Sequence, residues 1–439
     1  MIASKIGKTL LETYNDEKGT QLSAKAFFEQ IFFPLFYDHE KYLQWVTNSP
    51  FVQGIKKGVV STKEERQEKL EKLKEKIKGS EPDASIAIGF PSTDLVATTS
   101  GQVSNMNLPF AEEEIYCSWI GGGLGIGVQG GISMYFDNPD ILMLLVEGWS
   151  HYRHEFLNKP MYKKMRGNQI DTWNGQWLAH VLSKDFVKQH PLLDFEGLAT
   201  ANDGTIELKT QSWLKILFGI AYHFQESTIT GYIFSLGQTN KTVGFIPFVL
   251  PQISKPKHLY IKLFGENEYM KHSKQIESIY GSELGFVKCC EMGAIGIKAL
   301  EPKGLRSYIF PSKEGEVKYP NYKKTDDIQT ISFHTYITWI LAMLNNDSLW
   351  DKAEVYAQAL VEFEGSAKNA KKDRVNDISK VLSSNRRKDF IDSLTTVVEK
   401  TEGQPTVFLG LAEQVDKMPV DNFSYFLTLI RFRYAYLKK

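Results

Sequence analysis

Three stretches of this 439-residue chain carry residue types and spacings that could do chemistry. The first runs from Ser118 to Phe136 and packs seven glycines into residues 121–131. Within it, Gly125-Ile-Gly127-Val-Gln-Gly130 matches G-x-G-x-x-G, the pattern of a turn that seats a pyrophosphate on a helix N-terminus. Such a turn follows a strand and opens a helix, whereas here Ile132–Phe136 has strand character and the next helix waits for Asn138-Pro139. An interior glycine costs about 0.5–1 kcal/mol relative to alanine, so the block must serve some other need. Two remain: a bend where backbones pack closely, and a backbone-lined surface for a polyanion.

The second stretch, Lys159 to His180, interleaves cations, amides and indoles: Lys163, Lys164 and Arg166, then Asn168, Gln169, Asn174 and Gln176, with Trp173 and Trp177. Lysine and arginine neutralise phosphates, amides bond base edges, and indoles stack on bases. With Gly167 and Gly175 as bending points, the segment 167–177 is expected to be an amide-rich reading loop. The competing reading makes the two tryptophans, four apart, anchors of one helix face in a core. The third stretch pairs Asp194 with Glu207-Leu-Lys209, the order in which an acid and an E-x-K on neighbouring strands hold a divalent ion and activate water. Strand alternation alone also places Glu207, Lys209 and Gln211 on one solvent face. His151, His154, His223, His258 and His334 stand without a ligand set, and neither a nucleophile elbow nor a P-loop occurs. The expectation is a chain without a catalytic site, metal or cofactor, with a metal-dependent nuclease of a defence or restriction system as the alternative.

Composition sets the limits. Lys plus Arg and Asp plus Glu each count 52, so any basic surface must arise from local segregation of charge. Cys117 and the adjacent Cys289 and Cys290 fit neither a disulfide framework nor a paired C-x-x-C zinc site, which points to a reducing, cytoplasmic setting. No window of 18 uncharged apolar residues appears, so no membrane span is expected.

Around these stretches the elements read as follows. Residues 25–46 form an aromatic helix broken at Pro34 and followed by a second piece. Thr62 and Glu65 make a capping box that opens a helix closed by Gly79, with Leu70, Leu73 and Ile77 as its apolar stripe and Glu65/Lys69 and Glu68/Lys72 as ion pairs. Ser85–Phe90 reads as a strand, and Thr98–Gly101 as a loop leading to Leu108-Pro109. Residues 194–250 turn to β character, with Asn202-Asp203-Gly204 as a hairpin turn. Pro302, Pro311 and Pro320 mark a connector, bounded at 311–326, between an N-terminal mixed α/β region (1–310) and a C-terminal all-α bundle (327–439). The expected class is α+β. The bundle helices span about 327–344, 349–364, 371–382, 388–399, 407–418 and 422–437. They carry a second candidate patch for nucleic acid: Lys371, Lys372, Arg374, Arg386, Arg387 and Lys388, beside Lys368 and Lys380. The last helix is expected to bury its aromatic face and leave Arg431 and Arg433 outside.

The phrases Trp119-Ile-Gly-Gly-Gly-Leu-Gly-Ile-Gly127, Gly167-Asn-Gln-Ile-Asp-Thr-Trp-Asn-Gly-Gln-Trp177 and Asp421-Asn-Phe-Ser-Tyr-Phe-Leu-Thr-Leu-Ile-Arg431 resemble the large subunits of type I CRISPR surveillance (Cascade) complexes, in their Bacteroidetes or PGING-like variant. The resemblance implies a non-enzymatic subunit in antiviral defence that holds the guide RNA end, reads the protospacer-adjacent motif and supports the displaced DNA strand. Its implied partners are guide RNA, target DNA, other Cascade subunits and a helicase-nuclease. Some relatives carry C-x-x-C zinc pairs, which Cys289-Cys290 does not reproduce.

Overall fold

A computed structural model describes residues 1–47, 49–55, 60–79, 85–90, 111–202, 205–224, 227–235, 242–281, 285–310, 312, 316–324, 326–366, 370–403 and 405–439. Contacts gather these into two units, Met1–Phe248 with Cys290–Ala294, and Val249–Cys289 with Ile295–Lys439. The class is α+β, with a helical C-terminal region.

In the first unit, α1 (Ile2–Lys18) turns a face of small residues, Ala3, Ser4 and Gly7, toward a later helix. The capping-box helix α2 (Lys63–Gly79) buries Leu70, Leu73 and Ile77 as its stripe requires. The glycine block begins inside α3 (Glu112–Gly122), which crosses α1 so closely that a Cβ on Gly7 would lie 1.9 Å from the Cys117 carbonyl oxygen. Reciprocally, a Cβ on Gly121 would lie 1.9 Å from that of Ala3. Beyond Gly123 the chain forms the hairpin β1 (Ile126–Val128) and β2 (Ile132–Phe136), with Gly130 and Gly131 at φ 91° and 67° in its turn. Then come α4 (Pro139–Ser150), capped by the Asn138 side chain, and α5 (Ile170–Val181), which lies on β1. The hairpin β3 (Ala199–Asn202) and β4 (Thr205–Leu208) precedes α6 (Trp213–His223), β5 (Ile229–Ser235) and β6 (Thr242–Phe248). A four-stranded antiparallel sheet results, in the order β1-β2-β5-β6. Its register sets Met134 opposite both Ile126 and Ile233, so these three side chains meet on one buried, apolar part of the sheet.

The second unit is all helical apart from its connections: α7 (Leu250–Phe264), α8 (Glu266–Ile279), α9 (Asp327–Leu344), α10 (Leu349–Gly365), α11 (Lys371–Leu382), α12 (Arg387–Glu399), α13 (Thr406–Lys417) and α14 (Phe423–Leu437). Helix α14 is buried on most sides against α9, α10 and α11.

Several elements differ from the sequence reading. Helix continues through Pro34, as Ala24–Phe27, a π-helical segment Phe28–Phe32 and Phe33–Phe36. The wide turn, closed by the Phe33 N–H on the Phe28 carbonyl, makes room for a residue that has no N–H to give. Ser85–Phe90 forms turns instead of a strand, held by the Ile86 carbonyl on Trp119 Nε1 at 2.8 Å. Within 194–250 the apolar run 213–223 is helix, buried through Ile216, Leu217 and Ile220. The second unit starts at Val249, ahead of the 311–326 connector, because α7 packs along α9 with Phe264 stacked on His334 at 3.7 Å. Arg431 is buried, not outside, and donates to the Leu427 and Ile309 carbonyls. Arg433 stacks on Trp350 at 3.6 Å and pairs with Glu354 at 3.0 Å. The Thr98–Gly101 loop, Leu108-Pro109, Pro311, Lys368 and the Asp203-Gly204 part of the hairpin turn lie outside the described residues.

The helix crossing yields a direct test. Gly121→Ala places a methyl into the α1 backbone and should lower stability by about 1–3 kcal/mol or more. Gly79→Ala, whose Cβ would meet nothing within 4 Å, should be neutral or stabilising. Thermal melts of the two variants compare them directly, and equal melting temperatures would remove the crossing as a constraint.

Candidate functional site

Helix α5 absorbs most of the expected amide loop. Asn174 is fully buried and donates its Nδ2 to the Gly123 and Gly125 carbonyls, both at 2.8 Å. Gln176 is buried too, giving its Nε2 to the Lys209 carbonyl at 2.6 Å and accepting from Gln211 at 3.0 Å. Gln169 donates to the Arg166 carbonyl at 2.8 Å and accepts from the Leu208 N–H at 2.7 Å, tying the start of α5 to β4. Trp173 and Trp177 stack at 6.0 Å inside the core, with their indole N–H groups on the Gly148 and Leu144 carbonyls. These three amides therefore join elements of the fold, and Asn174 and Gln176 are not placed to meet base edges. The glycine block is spent the same way: a Cβ on Gly175 would sit 2.2 Å from the Gly127 carbonyl oxygen, so α5 rests on β1 backbone to backbone. Residues 121–128 are buried, which leaves no backbone-lined surface there for a polyanion.

Asp171, in the first turn of α5, was not singled out by sequence. Its Oδ2 accepts from the Ser133 hydroxyl at 2.8 Å and occupies the space a Cβ on Gly125 would need, 2.5 Å away. Burial of the carboxylate raises its pKa to about 6, against the Ser133 hydrogen bond that lowers it. A raised carboxylate pKa favours the folded state fully below the unfolded value of about 3.9 and loses that contribution as pH rises through about 6. Asp171→Asn keeps a partner for Ser133 and removes the ionisation. It should gain about 1–3 kcal/mol relative to wild type between pH 4 and pH 8. A stability difference constant across that range, read from urea melts, would rule the linkage out. Asn174→Ala, by contrast, strands two buried carbonyls and should cost about 1–3 kcal/mol at every pH. The melting temperature should fall with no change in nucleic-acid preference.

The cations of the same stretch behave differently. Lys163, Lys164, Arg166 and Asn168 are exposed, and the nearest carboxylate to Arg166 is Glu207 at 3.9 Å. Arg166, Gly167 and Asn168 line a cavity of about 590 Å³ with Lys41, Tyr42, Trp45, Lys69 and Lys72 among the other wall residues. Its shape depends on Gly167, where a Cβ would come within 2.6 Å of the Tyr42 carbonyl oxygen and whose own carbonyl accepts from Tyr152 at 3.0 Å. Sequence reasoning missed Lys41, Lys69 and Trp45. Lys69 was assigned to an ion pair with Glu65, but Glu65 turns back to the Thr62 N–H at 2.8 Å and Lys69 reaches the Phe51 carbonyl at 2.8 Å. The Glu68–Lys72 pair forms as expected, at 2.7 Å.

In the second unit, Arg374 is a structural residue. It is buried, donates to the Phe363 carbonyl at 2.8 Å and lies over the Phe363 ring at 4.6 Å. Arg387 donates to the Asp416 carbonyl at 3.3 Å and to that of Met418, closing α12 onto the end of α13. Lys371, Lys372, Lys380, Arg386 and Lys388 are exposed on α11, α12 and the turn joining them. Of these, Lys371 lies 3.9 Å from Glu364.

Asp194 sits at φ 57°, Lys209 Nζ donates to the Gly197 carbonyl at 2.9 Å, and Glu207 stands across from Thr200 in the β3–β4 hairpin. Among the described residues, no group of three His, Cys, Asp or Glu side chains gathers to hold a metal. Among them, too, no helix is long and apolar enough to cross a membrane. Compared with family models, curated proteins and solved structures, the chain matches none.

Proposed function

We propose that this chain is a non-enzymatic nucleic-acid-binding large subunit of a type I CRISPR surveillance complex, acting in the cytoplasm in antiviral defence. Its partners are then guide RNA, target DNA, other Cascade subunits and a helicase-nuclease. The family assignment is supported by the three sequence phrases that resemble such subunits.

The observation that carries the nucleic-acid reading is the sorting of charge on α11 and α12. The acid Asp377 is buried and bonded to Lys400, and Arg374 is buried over Phe363. Lys371, Lys372, Lys380, Arg386 and Lys388 are left facing solvent, with Asp373, Asp389, Asp392 and Glu399 as the exposed acids of the two helices, Glu399 at the far end of α12. A chain of zero net charge thereby presents a local cationic face. Exposed lysines and arginines on adjoining helices track a phosphate backbone and release its counterions.

The test is the salt dependence of binding. Replacing Lys371, Lys372, Arg386 and Lys388 with alanine should weaken binding to a labelled duplex. It should also flatten the log–log salt slope by about one unit for each phosphate no longer neutralised. All four side chains are exposed, so the melting curve should not move. An unchanged slope in a folded variant would overturn the reading.

A further inference from the structure

We propose that the cavity of the first unit is a nucleotide site, binding the phosphate of a nucleotide between Lys41, Lys69 and Arg166 and stacking its base on Trp45. This goes beyond the preceding reading and does not rest on the basic helices of the second unit.

The volume of about 590 Å³ falls in the range that encloses small ligands and cofactors. The wall is unevenly charged in a way that matters for an anion. Of its acids, Glu65 is committed to the α2 capping box and Glu68 to Lys72, while Glu40 stands exposed beside Lys41. Lys41 instead donates to the Tyr162 and Lys163 carbonyls at 3.3 and 2.9 Å, and Lys69 to the Phe51 carbonyl. Each of these two ammonium groups is thus anchored by backbone dipoles and, among the described residues, has no carboxylate within ion-pair distance. Burial lowers the pKa of both; at Lys41 the Glu40 carboxylate opposes this and the Arg153 guanidinium adds to it, and at Lys69 Glu65 opposes it and Lys72 adds to it. Arg153 itself is 3% exposed and donates to the Leu35 and Lys41 carbonyls at 2.6 and 2.7 Å, leaving Nη1 without a partner. Lys41 and Arg153 thus stand as neighbouring, partly buried cations that Glu40 offsets, and a phosphate would add a second negative partner.

The second half of the ligand is specified by the remaining wall. Trp45 is 50% exposed at the cavity, a large indole face that the core does not cover. Bases stack on such faces for about 1–3 kcal/mol. Tyr42, Gln53 and Asn168 add polar groups along the same wall. A phosphate alone would leave the indole unused, and an apolar ligand would leave the cations unpaired.

Titration calorimetry of the full chain with ADP, with inorganic pyrophosphate and with a short single strand decides the matter. Wild type should bind ADP saturably. Arg166→Ala should weaken ADP and pyrophosphate alike, by about tenfold or more. Trp45→Ala should weaken ADP about five- to a hundredfold and leave pyrophosphate unchanged. Both side chains are half or more exposed, so their removal should spare the fold. Competition of ADP by the strand would identify the occupant as a nucleotide of a polymer. ADP binding that the strand does not displace would identify a free nucleotide. Absence of saturable ADP binding, or binding that neither variant weakens, would overturn the site. The α11–α12 quadruple variant should keep full ADP affinity, so the pocket can stand where the polymer reading falls, and the reverse.

Discussion

Close approach of backbone to backbone is the constraint on which the first unit depends. At the Gly7–Gly121 crossing and again at the Gly127–Gly175 contact, a single methyl would overlap a carbonyl oxygen. Packing at this range buries main-chain polar groups, and each then needs a partner. Asn174 supplies two of them by bridging the Gly123 and Gly125 carbonyls. The same seating fixes where α5 begins, and thereby places Arg166 to Asn168 against Lys41 and Tyr42 at the cavity wall. Glycines that look like a phosphate cradle in the sequence thus act one step removed, by locating the side chains that line the cavity.

Charge is handled in two ways that follow from side-chain shape. Arg153, Arg374 and Arg431 are buried and spread their cations over several backbone carbonyls, as a planar fork of donors allows. Burial pulls the Arg431 and Arg153 guanidinium pKa values down to about 10, still charged at neutral pH. The lysines of α11 and α12 stay in water on flexible stems instead. A count of basic residues along the sequence cannot separate the two groups.

Where local signals agreed with tertiary packing, the sequence was readable. The capping box at Thr62 and Glu65, the helix start at Asn138-Pro139 and the helices from Asp327 onward form close to their expected bounds. The hairpin at residues 199–208 also forms. The 213–223 segment was not readable, because a fully buried helix and a buried strand share one apolar composition. Ser85–Phe90 has strand-like residues but joins no sheet, the Ile86 carbonyl accepting from Trp119 and the Ile88 N–H donating to Ser118, both on α3. At the site, the cations of 163–166 were legible as exposed charge, whereas Asn174 and Gln176 were not legible as buried connectors. Amides have the same composition whether they meet a base edge or a neighbouring carbonyl. Lys41 and Lys69 escaped notice because their partners are main-chain oxygens far away in sequence, which leave no mark in residue spacing.

The π-helical segment Phe28–Phe32 carries one residue more than an α-helix would need to climb the same turn. That residue sets the phase of everything after it. Phe36 meets Trp149 edge-on at 4.8 Å and Tyr37 stacks on Phe51 at 4.0 Å only with the wide turn in place. Removing one residue would restore ideal helix geometry locally, yet rotate Phe36 and Tyr37 by about 100° away from those rings. It would also bring the Pro34 ring against the turn before it. The segment is therefore a phase lock: its side chains can be exchanged for others of similar volume, but its length cannot change without dismantling the aromatic core it feeds.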